Sequence, residues 1–357
     1  MALLSTLRFA SGHATDGKRG PGRLVLAAAV LAALLGALAG SISPASALDP
    51  GATQAVPGTV QLFGIACPSA TTCEAVGLNS ASNEGVVVTI TSGTPGTVQA
   101  VSGTSDLFSV SCPSTTTCEA VGQATGPVGV VVSITSGTPG TAHTVSNTYG
   151  LNGVACANTR TCEAVGGNAS SEGVVVPITS GTPGTAEVVL GTGGLDGIAC
   201  HSTRSCEAAG YNSSNVGAVV ALTRGTPGTV QAVSGTTNLH AIACASATNC
   251  EATGENSSSD GAVVSVTSGT PGTVQVVSAT AAVYGVACPS AKTCEAVGYN
   301  SSDEGVVVPV TSGTPGTVQV VSGTFELYRI SCHSTTTCET VGANSAVTEG
   351  VVVDLSR

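Results

Sequence analysis

Residues 283–324 read V-Y-G-V-A-C-P-S-A-K-T-C-E-A-V-G-Y-N-S-S-D-E-G-V-V-V-P-V-T-S-G-T-P-G-T-V-Q-V-V-S-G-T. Four stretches rich in β-branched residues alternate here with Gly, Pro, Asn and Ser, the pattern of short strands separated by turns. We name them A (283–288), B (294–298), C (305–310) and D (317–321). The unit occurs seven times, marked by cysteine pairs with five intervening residues: Cys67 and Cys73, Cys112 and Cys118, Cys156 and Cys162, Cys200 and Cys206, Cys244 and Cys250, Cys288 and Cys294, Cys332 and Cys338. Successive pairs lie 45 and then 44 residues apart. A fixed period of this size signals a repeat architecture, and four strands in such a period make one propeller blade.

The ends of the repeat array sharpen the reading. Residues 49–56 (D-P-G-A-T-Q-A-V) resemble residues 94–101 (T-P-G-T-V-Q-A-V), so a lone strand D precedes the first full unit, and the last unit stops at strand C (351–355). The first strand is therefore expected to complete the last blade. That closure removes the unpaired strand edges that invite aggregation. The expected fold is all-β, a seven-bladed β-propeller with four strands per blade.

Two regions follow. Residues 1–47 read as a signal peptide: Arg8, Lys18, Arg19 and Arg23 precede an apolar run (24–39), and Ala45-Ser46-Ala47 is a small-residue cleavage site. Residues 48–357 are the propeller. Removing the signal takes four of the ten Lys and Arg and one of the 21 Asp and Glu, leaving six bases against 20 acids, a net charge of −14. Such a balance argues against nucleic acid as a partner. All 14 cysteines fall in the seven pairs of an exported chain, so hairpin disulfides are expected rather than zinc, whose sites use tighter ligand spacing. Closing a loop of this size contributes roughly 2 kcal/mol in the chain-entropy estimate. The expected protein is secreted, monomeric, free of the membrane once the signal is cleaved, and in need of no cofactor or metal.

Propeller geometry puts the A–B and C–D turns on one face and the B–C and D–A loops on the other. The first face is monotonous: Pro-Gly recurs in six units, from Pro95-Gly96 to Pro315-Gly316, and is read as the C–D turn. A glutamate follows every second cysteine (Glu74 in the first unit, Glu339 in the last) and is read as a device joining blade to blade. The second face varies. The second residue of strand A runs Phe63, Phe108, Asn152, Asp196, His240, Tyr284, Tyr328 and should encircle the channel mouth, an aromatic arc facing a polar one. A second variable ring follows the glycine that ends strand B: Leu78, Gln123, Gly167, Tyr211, Glu255, Tyr299, Ala343. With Tyr149 and Phe325 assigned to D–A loops, all eight aromatics of the propeller map to one side. The blades pack with Val, Ile and Ala and need no rings, so these aromatics either contact an external ligand or plug the mouth.

The variable face is also acidic, with Arg329 as its single base, which serves solubility or attracts a cation. Asn168, Asn212, Asn256 and Asn300 each begin an Asn-x-Ser sequence in a B–C connection. In a chain of bacterial composition these are read as turns rather than glycosylation sites. The stretch Cys67-Pro68-Ser69-Ala70-Thr71-Thr72-Cys73-Glu74-Ala75-Val76-Gly77 resembles the C-P-S-x-x-x-C-x-A-V-G repeats of secreted actinobacterial propeller-like proteins. The resemblance implies a fold and no activity.

The function expected from these features is a secreted, non-catalytic binding scaffold that engages an extracellular protein, peptide or glycan through Phe63, Phe108, Asn152, Asp196, His240, Tyr284, Tyr328, Tyr211 and Tyr299. Two alternatives stand beside it. A structural surface protein would stack through the monotonous face. A lyase or hydrolase would use His240 and Asp196, adjacent in the ring, for general acid–base work.

Overall fold

The computed structural model describes residues 47–357. The reading of residues 1–47 as a signal falls, apart from Ala47, outside the described residues. Among the described residues no helix is long and apolar enough to cross a membrane.

The chain is a seven-bladed β-propeller. Each blade is an antiparallel sheet in the order A-B-C-D; in the first blade these strands are Thr59–Ser69, Thr72–Asn79, Gly85–Thr91 and Thr94–Val101. Strand A of each blade packs against strand A of the next, and Thr324–Ser334 of the seventh returns to Thr59–Ser69 of the first. The seventh sheet is completed by Asp49–Val56, which pairs with Gly350–Ser356, as the two ends of the array lead one to expect. Thr53 donates to the Ser322 carbonyl (2.9 Å) and Gln54 to the Gly93 carbonyl (2.7 Å), tying this closing strand to the blades on either side.

The core lies between blades, because each sheet is covered on both faces. A run such as Val86-Val87-Val88 is then wholly apolar, and the two-residue period of a strand divides it between two layers. Val86 and Val88 pack toward Val341 and Val352 of the seventh blade, whereas Val87 joins the layer of Leu107 and Val110 in the second.

One disulfide closes the A–B hairpin of every blade. Cys67 is bonded to Cys73, Cys112 to Cys118, Cys156 to Cys162, Cys200 to Cys206, Cys244 to Cys250, Cys288 to Cys294 and Cys332 to Cys338, and no cysteine is free. The second member of each pair, on strand B, is the more deeply placed: Cys73, Cys118, Cys162, Cys206, Cys250, Cys294 and Cys338 are all buried and belong to the apolar layer of their blade, while their strand A partners pack on its margin. Seven disulfides fit an oxidising compartment.

Three expectations about local structure are corrected. The C–D turn is not Pro-Gly but the Ser-Gly before it: Ser92 and Gly93 have φ of 48° and 73°, the two positive values of a type I′ hairpin turn, whose twist matches the flanking strands. Pro95 instead lies in strand D, facing Ile90, on the outer edge where a missing N–H leaves no ladder bond unmade. A recurring hydrogen bond from blade to blade comes from a threonine and not from the glutamate. Thr59 donates to the Val56 carbonyl (2.7 Å) and accepts the Gly350 N–H of the neighbouring blade (3.0 Å), and Thr104, Thr148, Thr192 and Thr280 repeat the arrangement. The glutamates are buried against the C–D turn of the next blade, but the hydrogen bonds they make stay within their own blade. Those of blades one, two and five accept from a strand C hydroxyl: Thr89 on Glu74 (3.0 Å), Ser133 on Glu119 (2.8 Å) and Ser265 on Glu251 (2.9 Å). Third, strand A begins about three residues earlier than its apolar pattern suggests, so Phe325 lies in strand Thr324–Ser334 while Tyr149 remains in a connection.

Candidate functional site

The seven variable residues of strand A converge on the axis. In every blade the ladder skips the same position: the register shifts between Leu62 and Gly64, between Leu107 and Ser109, and so on to Leu327 and Arg329. Phe63, Phe108, Asn152, Asp196, His240, Tyr284 and Tyr328 are thus the bulged residues. A bulge bends the strand and re-aims its side chain. The preceding leucine or valine stays fully buried between blades and the bulged residue turns inward. The residue after it is small because the innermost strands meet there; a Cβ on Gly64 would lie 3.0 Å from the Phe108 carbonyl oxygen. Together the seven bound a cup of about 380 Å³, within the range of small-ligand sites.

One wall of the cup is aromatic. Phe63 lies 5.8 Å from Phe108 and 5.4 Å from Tyr328, Tyr328 lies 5.8 Å from Tyr284, and Tyr284 meets His240 edge-on at 4.9 Å. Tyr299 of the second ring stacks on Tyr284 at 5.4 Å and backs this arc. Burial pushes the Tyr284 and Tyr328 phenols well above their ordinary value, with the Glu326 carboxylate adding to the effect, so both remain protonated hydrogen-bonding groups. Tyr211, the other tyrosine of the second ring, lies apart from the arc. It borders a second cavity over the third and fourth blades.

The opposite wall is a network of amides. Asp196 accepts from Asn152 (3.0 Å) through one oxygen and from Asn238 (2.7 Å) through the other. Asn238 also contacts the His240 Nδ1 at 3.3 Å. The direct Asp196–His240 pair required by the catalytic alternative is therefore not formed: an amide stands between the carboxylate and the imidazole. Burial lowers the His240 pKa; Asp196 opposes this and Arg329 adds to it, so the net direction is down and the ring is neutral at pH 7. Asp196 does pull toward the charged ring, but desolvation outweighs it.

Arg329 is not a surface base. It occupies the small-residue position of the seventh blade and crosses the axis beneath the cup, donating to the carbonyls of Tyr284 (2.7 Å), Tyr328 (3.0 Å) and His240 (3.2 Å). Its hydrogen bonds go to these carbonyls and not to Asp196, so the floor carries two opposite charges, each fixed by neutral partners. The sequence reading missed Asn238 and misplaced Arg329, though both left signals. Asn238 stands two residues before His240 on the same strand face, and Arg329 is the single large residue where the other blades have Gly, Ser or Ala.

The Asn-x-Ser connections are Asx turns: the Asn168 side-chain oxygen accepts from the N–H groups of Ser170 (2.9 Å) and Glu172 (3.0 Å), and Asn212, Asn256 and Asn300 do the same.

No family model matches the chain, and no curated protein matches it. Solved structures resemble it in fold. The WD40 β-propeller domain of Doa1 superposes with a TM-score of 0.64 at 9% identity, covering 87% of this chain and 97% of that one. A structure of YCF48 bound to D1 peptide superposes with a TM-score of 0.58 at 11% identity, over 88% of this chain and 97% of that one. Both are similar to this chain in their propeller fold.

Proposed function

We propose that the chain is a secreted, non-catalytic binding scaffold that engages a protein, peptide or glycan through the face bearing the B–C and D–A connections. The observation that carries this reading is the convergence of all seven variable strand A residues on one cup in an otherwise repetitive molecule. In this reading residues 1–47 direct export, and residues 48–357 act outside the cell as one monomeric module. Aromatic rings beside fixed polar groups suit a binding site, where rings supply contact area and amides supply orientation. The structure of YCF48 is described as bound to a peptide, which accords with a propeller presenting such a site.

Replacing Phe63, Phe108, Tyr284 and Tyr328 together by Ala is expected to abolish capture of cell-envelope material by the immobilised chain while the circular dichroism spectrum stays unchanged. Undiminished capture by the folded variant would refute the site.

A further inference from the structure

The second cavity, about 370 Å³, opens sideways from the cup and shares Phe108, Asn152 and Asp196 with it. Its origin is legible in the repeat. Two residues before each cup residue, on the same strand face, stand Gln61, Asp106, Gly150, Gly194, Asn238, Ala282 and Glu326. The third and fourth blades have glycine there, and the third has Gly167 in the second variable ring. Those positions carry no side chain in this sector, leaving a trench. Tyr211 lies along one side, seated on the glycines: a Cβ on Gly194 would come within 3.0 Å of its ring. Tyr149, 52% exposed, stands among the lining residues as well.

The chemistry of the trench is selective. Its lining is aromatic rings, glycine, neutral amides, one serine and one carboxylate, with no aliphatic side chain and no cation. The Asn152 amide nitrogen is engaged with the Leu195 carbonyl (3.1 Å) and Asp196 (3.0 Å), and the Gln123 amide donates to the Tyr149 carbonyl (2.9 Å). What these amides leave for a ligand is their carbonyl oxygens and one Gln123 N–H, beside the Asp196 carboxylate. The trench thus asks for an elongated ligand rich in neutral hydrogen-bond donors and able to lie against tyrosine rings.

We propose that the cup and trench together bind a neutral oligosaccharide, one end in the cup and the following sugars along the trench. Sugar hydroxyls donate to Asp196, Asn152 and Gln123, and the apolar ring faces pack on Tyr211 and Tyr149. A peptide would find no apolar pocket for its side chains in the trench, and an anionic polymer would find a carboxylate and no cation in the trench lining. A cationic group entering the cup would face Arg329 across the floor. This inference rests on the reading of the cup as a binding site and assigns its ligand class.

The test is isothermal titration of the full chain with chitotetraose, cellotetraose and maltotetraose, each compared with its own monosaccharide. At least one tetrasaccharide is expected to bind tenfold or more tightly than its monosaccharide. Tyr149→Ala and Tyr211→Ala should each weaken that tetrasaccharide at least tenfold and leave the monosaccharide unchanged, and Tyr211→Phe should retain binding. The exposure of Tyr149 makes its replacement safe for folding. Absence of binding by all three, equal affinity for tetrasaccharide and monosaccharide, or trench variants that bind like the parent would overturn the proposal. So would a basic peptide whose binding depends on Tyr149 and Tyr211. If envelope capture still depended on Phe63, Phe108, Tyr284 and Tyr328, the cup would stand as a site and the glycan assignment alone would fall.

Discussion

Replacing Glu295 by Gln should stabilise the protein at neutral pH and do nothing in acid. The reason is a partner missing from strand C. Where blades one, two and five supply Thr89, Ser133 and Ser265 to their glutamates, the third, fourth and sixth have Pro177, Ala221 and Pro309 opposite Glu163, Glu207 and Glu295. Glu295 is 1% exposed and neither of its carboxylate oxygens has a hydrogen-bond partner. Burial lifts its pKa from 4.5 to about 7, against a smaller opposing pull from Arg357. A displacement of that size corresponds to about 3 kcal/mol, which screening at the blade rim reduces to an expected effect of about 1–2 kcal/mol. Because the folded pKa lies above the unfolded one, the fold favours the protonated acid. The stability that Glu295 contributes is therefore fully present below pH 4.5 and is lost as the pH rises toward and through 7. Glu295→Gln removes the decline, and scanning calorimetry should show a melting temperature about 2–6 °C above the parent at pH 8 and equal to it at about pH 4. Pro309→Ser, which restores the donor found in blades two and five, should raise stability at pH 8 and add little to Glu295→Gln. A Gln variant no more stable than the parent at pH 8, or equally stabilised at both pH values, would refute this reasoning.

Three further outcomes are expected. Deleting residues 48–58 removes the closing strand and should expose the edge of Gly350–Ser356, so that light scattering reports aggregation; an unchanged melting temperature would contradict the closure. Thr59→Val strands the buried Gly350 N–H and should cost about 1–3 kcal/mol in a urea titration, and a loss below about 0.5 kcal/mol would show that the threonine does not join the blades. Non-reducing mass spectrometry of the chain should find seven local cystine links, whereas thiols that alkylate without reduction, or zinc in stoichiometric amount, would speak against them.

The blade count, the closing strand and the cup were legible because each is written by periodicity. A two-residue strand period and a 44-residue repeat place Phe63 and Tyr328 on one ring without any knowledge of contacts. What was not legible depended on local competition. Pro95-Gly96 is a strong turn signal, yet Ser92-Gly93 takes the hairpin because its two positive φ values suit strand twist and an edge strand tolerates proline. After a threonine common to all seven units, the next residues vary from Val60-Gln61 to Gly193-Gly194 and carry no common β signal; they enter the sheet beside the end of strand B, as Gln61 does by pairing with Leu78. Adjacency in the ring placed Asp196 beside His240, but which atoms meet was decided by Asn238, on a residue pair two apart that the ring alone does not describe. Arg329 was counted with the surface because charge is usually solvated, and three inward carbonyls supplied what water would have.

The most direct test of the central claim is hydroxyl-radical footprinting of the chain with and without bound cell-envelope material, read by mass spectrometry at single residues. The account predicts protection concentrated at Phe63, Phe108, Tyr284 and Tyr328, with the Ser-Gly turns and Pro-Gly segments of the opposite face unchanged. Protection of that opposite face, with the cup residues as reactive as in the free chain, would contradict it.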